Sequence, residues 1–161
     1  SNCLLLHHTH KHISCTLDEA DMIYNLYIWT KKGKCIYYQA WHRQTSPKDS
    51  IEQEQSLMYG FLIAIKSFVD KTSPSTADSF NSYSTSTYKL HYFETATGLK
   101  FVITTDPKAP SLQQYLSKLY SEIYVEYVTK NPLYKLGEYI NCSLFVSALE
   151  SSVSGHPSFS S

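Results

Sequence analysis

Glycine, cysteine and charge are all scarce in this sequence of 161 residues. Five glycines leave little room for the glycine-rich loops that cradle phosphates in nucleotide-binding proteins. The four cysteines are scattered without a C-x-x-C pair. This usage argues against a secreted disulfide scaffold and favours a reducing compartment.

The sequence also has no excess of either charge and no long apolar run. Lys and Arg number 14, as do Asp and Glu, so the net charge is zero. A protein that binds the phosphates of nucleic acid normally carries a basic patch. No apolar run approaches the ~18 residues that a membrane-spanning helix requires. We therefore expect a cytosolic protein that binds no nucleic acid.

Apolar and aromatic residues, by contrast, are plentiful. They include 14 tyrosines, and the apolar fraction of 42% is sufficient for one hydrophobic core in a single domain. With only 17% charged residues, the surface has little electrostatic protection against association. This composition is more typical of an interacting protein surface than of an enzyme.

The chain is expected to divide into one domain and two flanking segments. Residues 1–21 carry four of the seven histidines and show no sustained periodicity, so we expect a disordered extension. The domain is predicted to span residues 22–153, and the Ser-rich residues 154–161 form a flexible tail.

Five segments have the β-branched, aromatic or alternating pattern of strands. They are Ile23–Trp29, Cys35–Trp41, a short edge strand within Ser75–Thr87, Tyr88–Glu94 and Leu99–Ile103.

Three segments have helical periodicity. The first runs from about Asp49 to Asp70, and the second runs from about Ser111 to Lys130. The first has an apolar stripe that we expect to face the core: Ile51, Met58, Phe61, Leu62, Ile65, Phe68 and Val69. The stripe of the second is Leu112, Leu116, Leu119, Ile123 and Tyr127, and a short final helix is marked by Ile140, Leu144, Phe145, Ala148 and Leu149. The order β-β-α-β-β-β-α-α predicts an α+β fold with a five-stranded, mainly antiparallel sheet flanked by helices.

Motifs for catalysis or metal binding are weak. The N-terminal cluster of Cys3, His7, His8, His10, His12 and Cys15 matches no zinc-finger spacing, so an adventitious metal site is favoured over a physiological one. His42 and His91 fit sheet-face positions better than catalytic ones, since no G-x-S-x-G, G-x-G-x-x-G or H-E-x-x-H motif accompanies them. We predict no catalytic residue, no cofactor and no metal, and a small histidine-dependent enzyme remains the least favoured alternative.

Both long helices carry more apolar surface than a monomeric core needs. On the first helix, Tyr59 and Ile63 form a strip beside the main stripe and are followed by Lys66. On the second, Tyr120, Tyr124, Val125 and Val128 extend the apolar surface nearly all round, and Glu126 lies near the main stripe. Loops or the last helix could cover these residues, but we favour a permanent protein partner and predict all eight as interface residues.

Several ordered motifs resemble a known family. They are Asn25-Leu26-Tyr27, Trp41-His42-Arg43, Leu57-Met58-Tyr59-Gly60, the run from Tyr88 to Thr95 with Thr97-Gly98, and the run from Tyr124 to Val128 with Lys130-Asn131-Pro132-Leu133. From Met22 to about Val153 they resemble the subunit-1 family of the TRAPP vesicle-tethering complex. Some also resemble the complex's synbindin-type subunit, which has a large insertion before the first helix. Here only a short linker separates Trp41 from Asp49, which favours the subunit-1 family.

The resemblance implies a longin-like (profilin-like) fold and a scaffold subunit without an active site of its own. It implies partnership with Bet3-like and synbindin-type longin subunits in a hetero-oligomer at the ER-to-Golgi step. It further implies a contribution to a composite surface that promotes nucleotide exchange on a Rab GTPase, and peripheral attachment to cis-Golgi and endoplasmic reticulum membranes through the complex only. A small clathrin-adaptor chain or a longin-domain SNARE is the alternative within the fold, and the absence of a heptad segment or membrane anchor disfavours the SNARE.

Overall fold

An antiparallel hairpin opens the fold of this computed structural model, which describes residues 22–42, 50–74 and 80–157. Its strands are β1 (Ile23–Trp29) and β2 (Cys35–Ala40), and the first long helix, α1 (Ile51–Thr72), follows. The remaining elements in chain order are β3 (Ser82–Ser84), β4 (Lys89–Glu94), β5 (Lys100–Thr105), α2 (Gln113–Lys118), a π-helix (Leu119–Thr129) that continues α2, and α3 (Ser143–Ser154). None of the helices in these ranges has the length and apolarity needed to span a membrane.

The five strands form one sheet in the order β2-β1-β5-β4-β3, and every neighbouring pair is antiparallel. Since successive side chains alternate between the faces, each strand contributes to two cores. Tyr27 and Trp29 lie on the α1 face, whereas Leu26 and Ile28 lie on the face covered by α2, the π-helix and α3. The sheet is therefore the middle of three layers, and the predicted fold class and element order are confirmed.

Helix α1 begins at Ile51 because Ser50 caps it. The Ser50 hydroxyl accepts a hydrogen bond from the Gln53 backbone N–H at 3.2 Å, which satisfies one of the free donors of the first turn. The helix therefore begins and ends two residues later than predicted. The final helix is shorter at its start than its apolar pattern suggested, because Ile140 instead donates a backbone hydrogen bond to Ile36 beside β2.

A polar cluster attaches α1 to the sheet. The Glu94 carboxylate accepts hydrogen bonds from Lys66 of α1 and from the Tyr92 hydroxyl, and it forms an ion pair with Lys100 at 3.2 Å. Burial opposes ionisation of Glu94, but these three donors outweigh it and lower the pKa of its carboxyl to about 2. The Lys66 ammonium also lies 5.8 Å from the centre of the Tyr92 ring.

Replacing Glu94 with Gln is expected to lower the free energy of unfolding at pH 7 by about 1 kcal/mol, since an ionised acceptor is lost beside the buried Lys100. The folded carboxyl has a pKa below the ordinary 4.5, so its stabilisation is complete above pH 4.5 and is lost as the pH falls towards 2. Urea titrations across this window should give a shallower acid slope for Glu94→Gln. Glu126→Gln is the matched control because its pair with Lys130 is exposed. Equal losses in both variants would contradict this account.

The second long helix does not keep the 3.6-residue period. From Leu119 its backbone winds as a π-helix, in which hydrogen bonds close over five residues instead of four. The buried side chains accordingly recur at Tyr115, Leu119, Tyr124 and Val128, at spacings of four, five and four residues. The predicted stripe is buried as far as Leu119. Beyond it Ile123 and Tyr127 are half-buried and pack against the same core, whereas Tyr124 and Val128 are the residues that are fully buried.

Candidate protein-interaction surface

The outer side of α1 carries an apolar strip that the described residues leave exposed. Four side chains at i, i+4, i+7 and i+11 lie along one line of the helix. They are Leu57, Phe61, Ala64 and Phe68, which we call the α1 strip. Leu57 is 64% exposed and Phe68 is 66% exposed. Such a large apolar area is unusual on the surface of a monomer and is typical of an interaction site.

The α1 strip is continuous with an open edge of the sheet. Phe61 contacts Tyr83 of β3 edge to face, with 5.4 Å between ring centres, and Tyr83 is itself 37% exposed. Strand β3 pairs with β4 only, and no strand of the described ranges pairs with its outer side. The α1 strip and the edge of β3 together provide an apolar surface beside backbone groups that no described strand pairs with and that a second chain could pair with.

The surroundings of the α1 strip are almost free of charge. Between Ser56 and Phe68 the only charged residue is Lys66, and it is paired with Glu94 of the sheet. A helix face that stays in water normally carries charged and polar residues. The lack of charge in this stretch is the sequence signal that could have located the surface.

The structure gives Tyr59 and Lys66 roles within the chain. The Tyr59 ring contacts Trp29, with 5.8 Å between ring centres, and it lies so close to Gly33 that a Cβ there would be 2.7 Å from it. Lys66 joins α1 to Glu94. Ile63, 38% exposed, lies on the opposite flank of α1 from the α1 strip and stays a prediction.

On the second helix, Tyr124 and Val128 are buried in the chain's own core at 2% and 1% exposure, and their part in an interface stays a prediction. The longer period of the π-helix turns them towards the sheet. Glu126 is exposed and forms an ion pair with Lys130. The expectation that its carboxylate would lie unpaired near the buried stripe is therefore wrong. Val125 and Tyr120 are half-buried, and their part in an interface stays a prediction.

His91 is placed for structure and not for catalysis. It is 1% exposed, its Nε2 lies 2.9 Å from the Thr105 hydroxyl, and its Nδ1 accepts a hydrogen bond from the Leu112 backbone N–H at 3.4 Å. His42 is exposed, and its Nδ1 lies 3.2 Å from the Ile23 carbonyl oxygen. The Thr105 hydroxyl is itself fully buried and the partner of His42 is a backbone carbonyl, so neither histidine presents an accessible nucleophile or a carboxylate to a substrate.

Within the described ranges, no group of three or more His, Cys, Asp or Glu side chains is arranged to hold a metal ion. The cysteine and histidine cluster of residues 1–21 lies outside the described residues.

Comparison with known proteins extends over the whole of this fold. A sequence model of the Sybindin-like family matches residues 23–156. Trafficking protein particle complex subunit 1 of Dictyostelium discoideum is 46% identical over 143 residues, which are 87% of this chain and 100% of the relative. The Homo sapiens subunit 1 is 45% identical over 139 residues, which are 86% of this chain and 96% of the relative.

A second kind of relative is similar over a shorter stretch. Trafficking protein particle complex subunit 4 of Bos taurus is 48% identical over 61 residues, which are 38% of this chain and 27% of the relative. The similarity to the subunit 1 proteins therefore covers nearly the whole of both chains, whereas the similarity to subunit 4 is confined to one part.

Proposed function

The chain belongs to the Sybindin-like family, and on this premise we propose that it is a non-catalytic scaffold subunit of the TRAPP complex in vesicle transport. Relatives at 45–46% identity that align along almost their full length bear the name of subunit 1 of that complex. The structural observation that carries the proposal is the α1 strip with the adjoining edge of β3, because this surface is suited to permanent burial against another subunit.

Gly60 supports the same interpretation. It lies in the interior of α1, where glycine costs about 1 kcal/mol relative to alanine. A Cβ at this position would meet no atom within 4 Å, so packing within the chain does not require glycine here. Close packing of another subunit over this position of α1 would require glycine.

The finer parts of the proposal concern the GTPase and the membrane. In this proposal the subunit joins Bet3-like and synbindin-type subunits, and the assembly promotes nucleotide exchange on a Rab GTPase at the ER-to-Golgi step. The assembly would bind the nucleotide-free GTPase more tightly than the nucleotide-bound form and would thereby weaken nucleotide binding by linkage. The chain would reach cis-Golgi and endoplasmic reticulum membranes only through the complex.

Replacing Leu57 and Phe68 together with Asp is expected to weaken assembly at least about tenfold, because two desolvated apolar contacts become buried charges. The chain would be co-expressed with synbindin-type and Bet3-like subunits, and the dissociation constant would be measured on purified components. Since both side chains are about two-thirds exposed, the melting temperature of the isolated variant should stay unchanged.

The matched control replaces Ser143 and Ser154 with Asp. These exposed residues have the same spacing of eleven positions on α3, on the face of the sheet opposite α1, and receive the same charges away from the α1 strip. Assembly equal to that of the unmodified chain is expected. Equal losses in both double variants, or no loss in either, would remove the α1 strip from the interface. Failure of the assembled complex to release nucleotide from any Rab GTPase tested would overturn the exchange proposal alone.

A further inference from the structure

A groove of about 700 Å³ lies on the face of the sheet opposite α1. It is bounded by residues 30–34 of the β1–β2 turn, by Thr97 and Leu99 of the β4–β5 turn, and by the π-helix. Volumes of this order are those of pockets that hold small ligands or short peptide segments. The groove is separate from the α1 strip, which lies on the other side of the sheet.

The floor of the groove is apolar and aromatic. Tyr120 and Tyr124 form it with Ile36 and Leu99. Phe101 lies beneath the two tyrosines, with ring centres 5.9 and 5.5 Å away in edge-to-face contacts. The Tyr134 hydroxyl, which lies near that of Tyr124, donates a hydrogen bond to the Glu138 carbonyl oxygen at 2.8 Å. The floor is thus held in shape before any ligand arrives, which reduces the entropy lost on binding.

The rim of the groove is basic. Lys31, Lys32 and Lys34 are exposed along one turn, and none of the residues that line the groove is acidic. No carboxylate of the described residues forms an ion pair with these lysines. In a chain with no net charge, three unpaired cations beside one groove are a local concentration of positive charge.

Lys31 is held in place by the neighbouring turn. A Cβ on Gly98 would lie 2.9–3.1 Å from the Cβ, Cγ and Cδ atoms of Lys31, and Gly98 has a φ of +83°. The lysine stem therefore lies directly over the glycine backbone. The side chain is positioned and not merely exposed.

We propose that this groove binds an acidic peptide segment of a partner protein, with an apolar or aromatic side chain inserted between Tyr120 and Leu99. Carboxylates on either side of that anchor would pair with the rim lysines. A recessed floor between two turns suits an extended chain better than the flat surface of a membrane. The inference does not depend on the proposed function, because no residue of the α1 strip takes part in this groove.

The test measures binding of defined peptides to the full chain by fluorescence anisotropy. The probe is the labelled peptide Glu-Asp-Glu-Leu-Phe-Glu-Asp-Glu, and two comparison peptides replace Leu-Phe by Ala-Ala or every acidic residue by its amide. We expect saturable binding of the probe that weakens with added salt, and at least about tenfold weaker binding of either comparison peptide.

Reversing the rim charge with Lys31→Glu and Lys32→Glu is expected to weaken probe binding at least about tenfold while the melting temperature is kept. The matched control, Lys71→Glu with Lys118→Glu, changes the charge equally at exposed positions at the ends of α1 and α2. Equal losses in both double variants, no saturable binding of the probe, or binding of anionic phosphatidylserine vesicles without binding of the peptide would each overturn the proposal.

Discussion

Replacing Phe101 with alanine is expected to lower the free energy of unfolding by about 4 kcal/mol. Phe101 is fully buried on the central strand β5, and its ring contacts those of Phe93, Tyr120 and Tyr124. The substitution removes the apolar contacts and leaves a cavity that a sheet packed on both faces cannot close. Chemical denaturation followed by tyrosine and tryptophan fluorescence measures the loss.

The matched control is Phe68→Ala, the same chemical change on the α1 strip. Because Phe68 is 66% exposed, we expect a loss of no more than about 0.5 kcal/mol in the isolated chain. For assembly with partner subunits we expect the reverse order. Among folded molecules, Phe68→Ala should weaken binding to the partner subunits more than Phe101→Ala does. A large loss of stability from Phe68→Ala would mean that the α1 strip is covered by the chain itself.

Lowering the pH from 7 to about 4.5 is expected to cost about 2–3 kcal/mol of stability through His91 alone. Burial, with a smaller contribution from the charge of Lys89, lowers the pKa of His91 from 6.5 to about 4. In the unfolded chain the imidazole takes up a proton near pH 6.5, whereas the folded chain resists this until about pH 4. Stability is therefore complete above pH 6.5 and is lost as the pH falls through this window.

The measurement is a series of urea titrations between pH 7 and pH 4. His91→Gln should be less stable at pH 7, because it disturbs the contacts with Thr105 and Leu112, but its stability should fall much less over this range, with the remaining slope coming from groups such as His156, whose pKa burial also lowers. His42→Gln, at an exposed position, should retain the full pH dependence. This window lies above that of Glu94, so the two residues can be distinguished in one series. An undiminished slope in His91→Gln would assign the effect to other groups.

Local chemistry made much of the fold predictable. The strand Ile23–Trp29 was predicted to the residue, because β-branched and aromatic side chains select extended backbone and Lys32 with Gly33 supplies a turn. The two long helical segments were predicted from the periodicity of short stretches of chain, whereas the cap at Ser50 was not. The surplus of uncharged helix surface, and with it the expectation of a partner, was also present in the composition.

The tertiary structure alone decided which way each helix faces. Hydrophobic periodicity defines a stripe, but Phe61 and Phe68 could be assigned to the core as easily as Tyr59 until the position of the sheet was known. From Leu119 the π-helix packs against Phe101 of β5 and against α3, and its longer period buries Tyr124 and Val128 where a regular period would turn them away from this stripe. The groove depends most on the fold, since antiparallel pairing of β1 with β5 brings Lys31 and Gly98 together from turns far apart in sequence. Preferences for helix, strand or turn depend on short stretches of sequence. Surfaces built from distant segments, in contrast, form only when the chain folds.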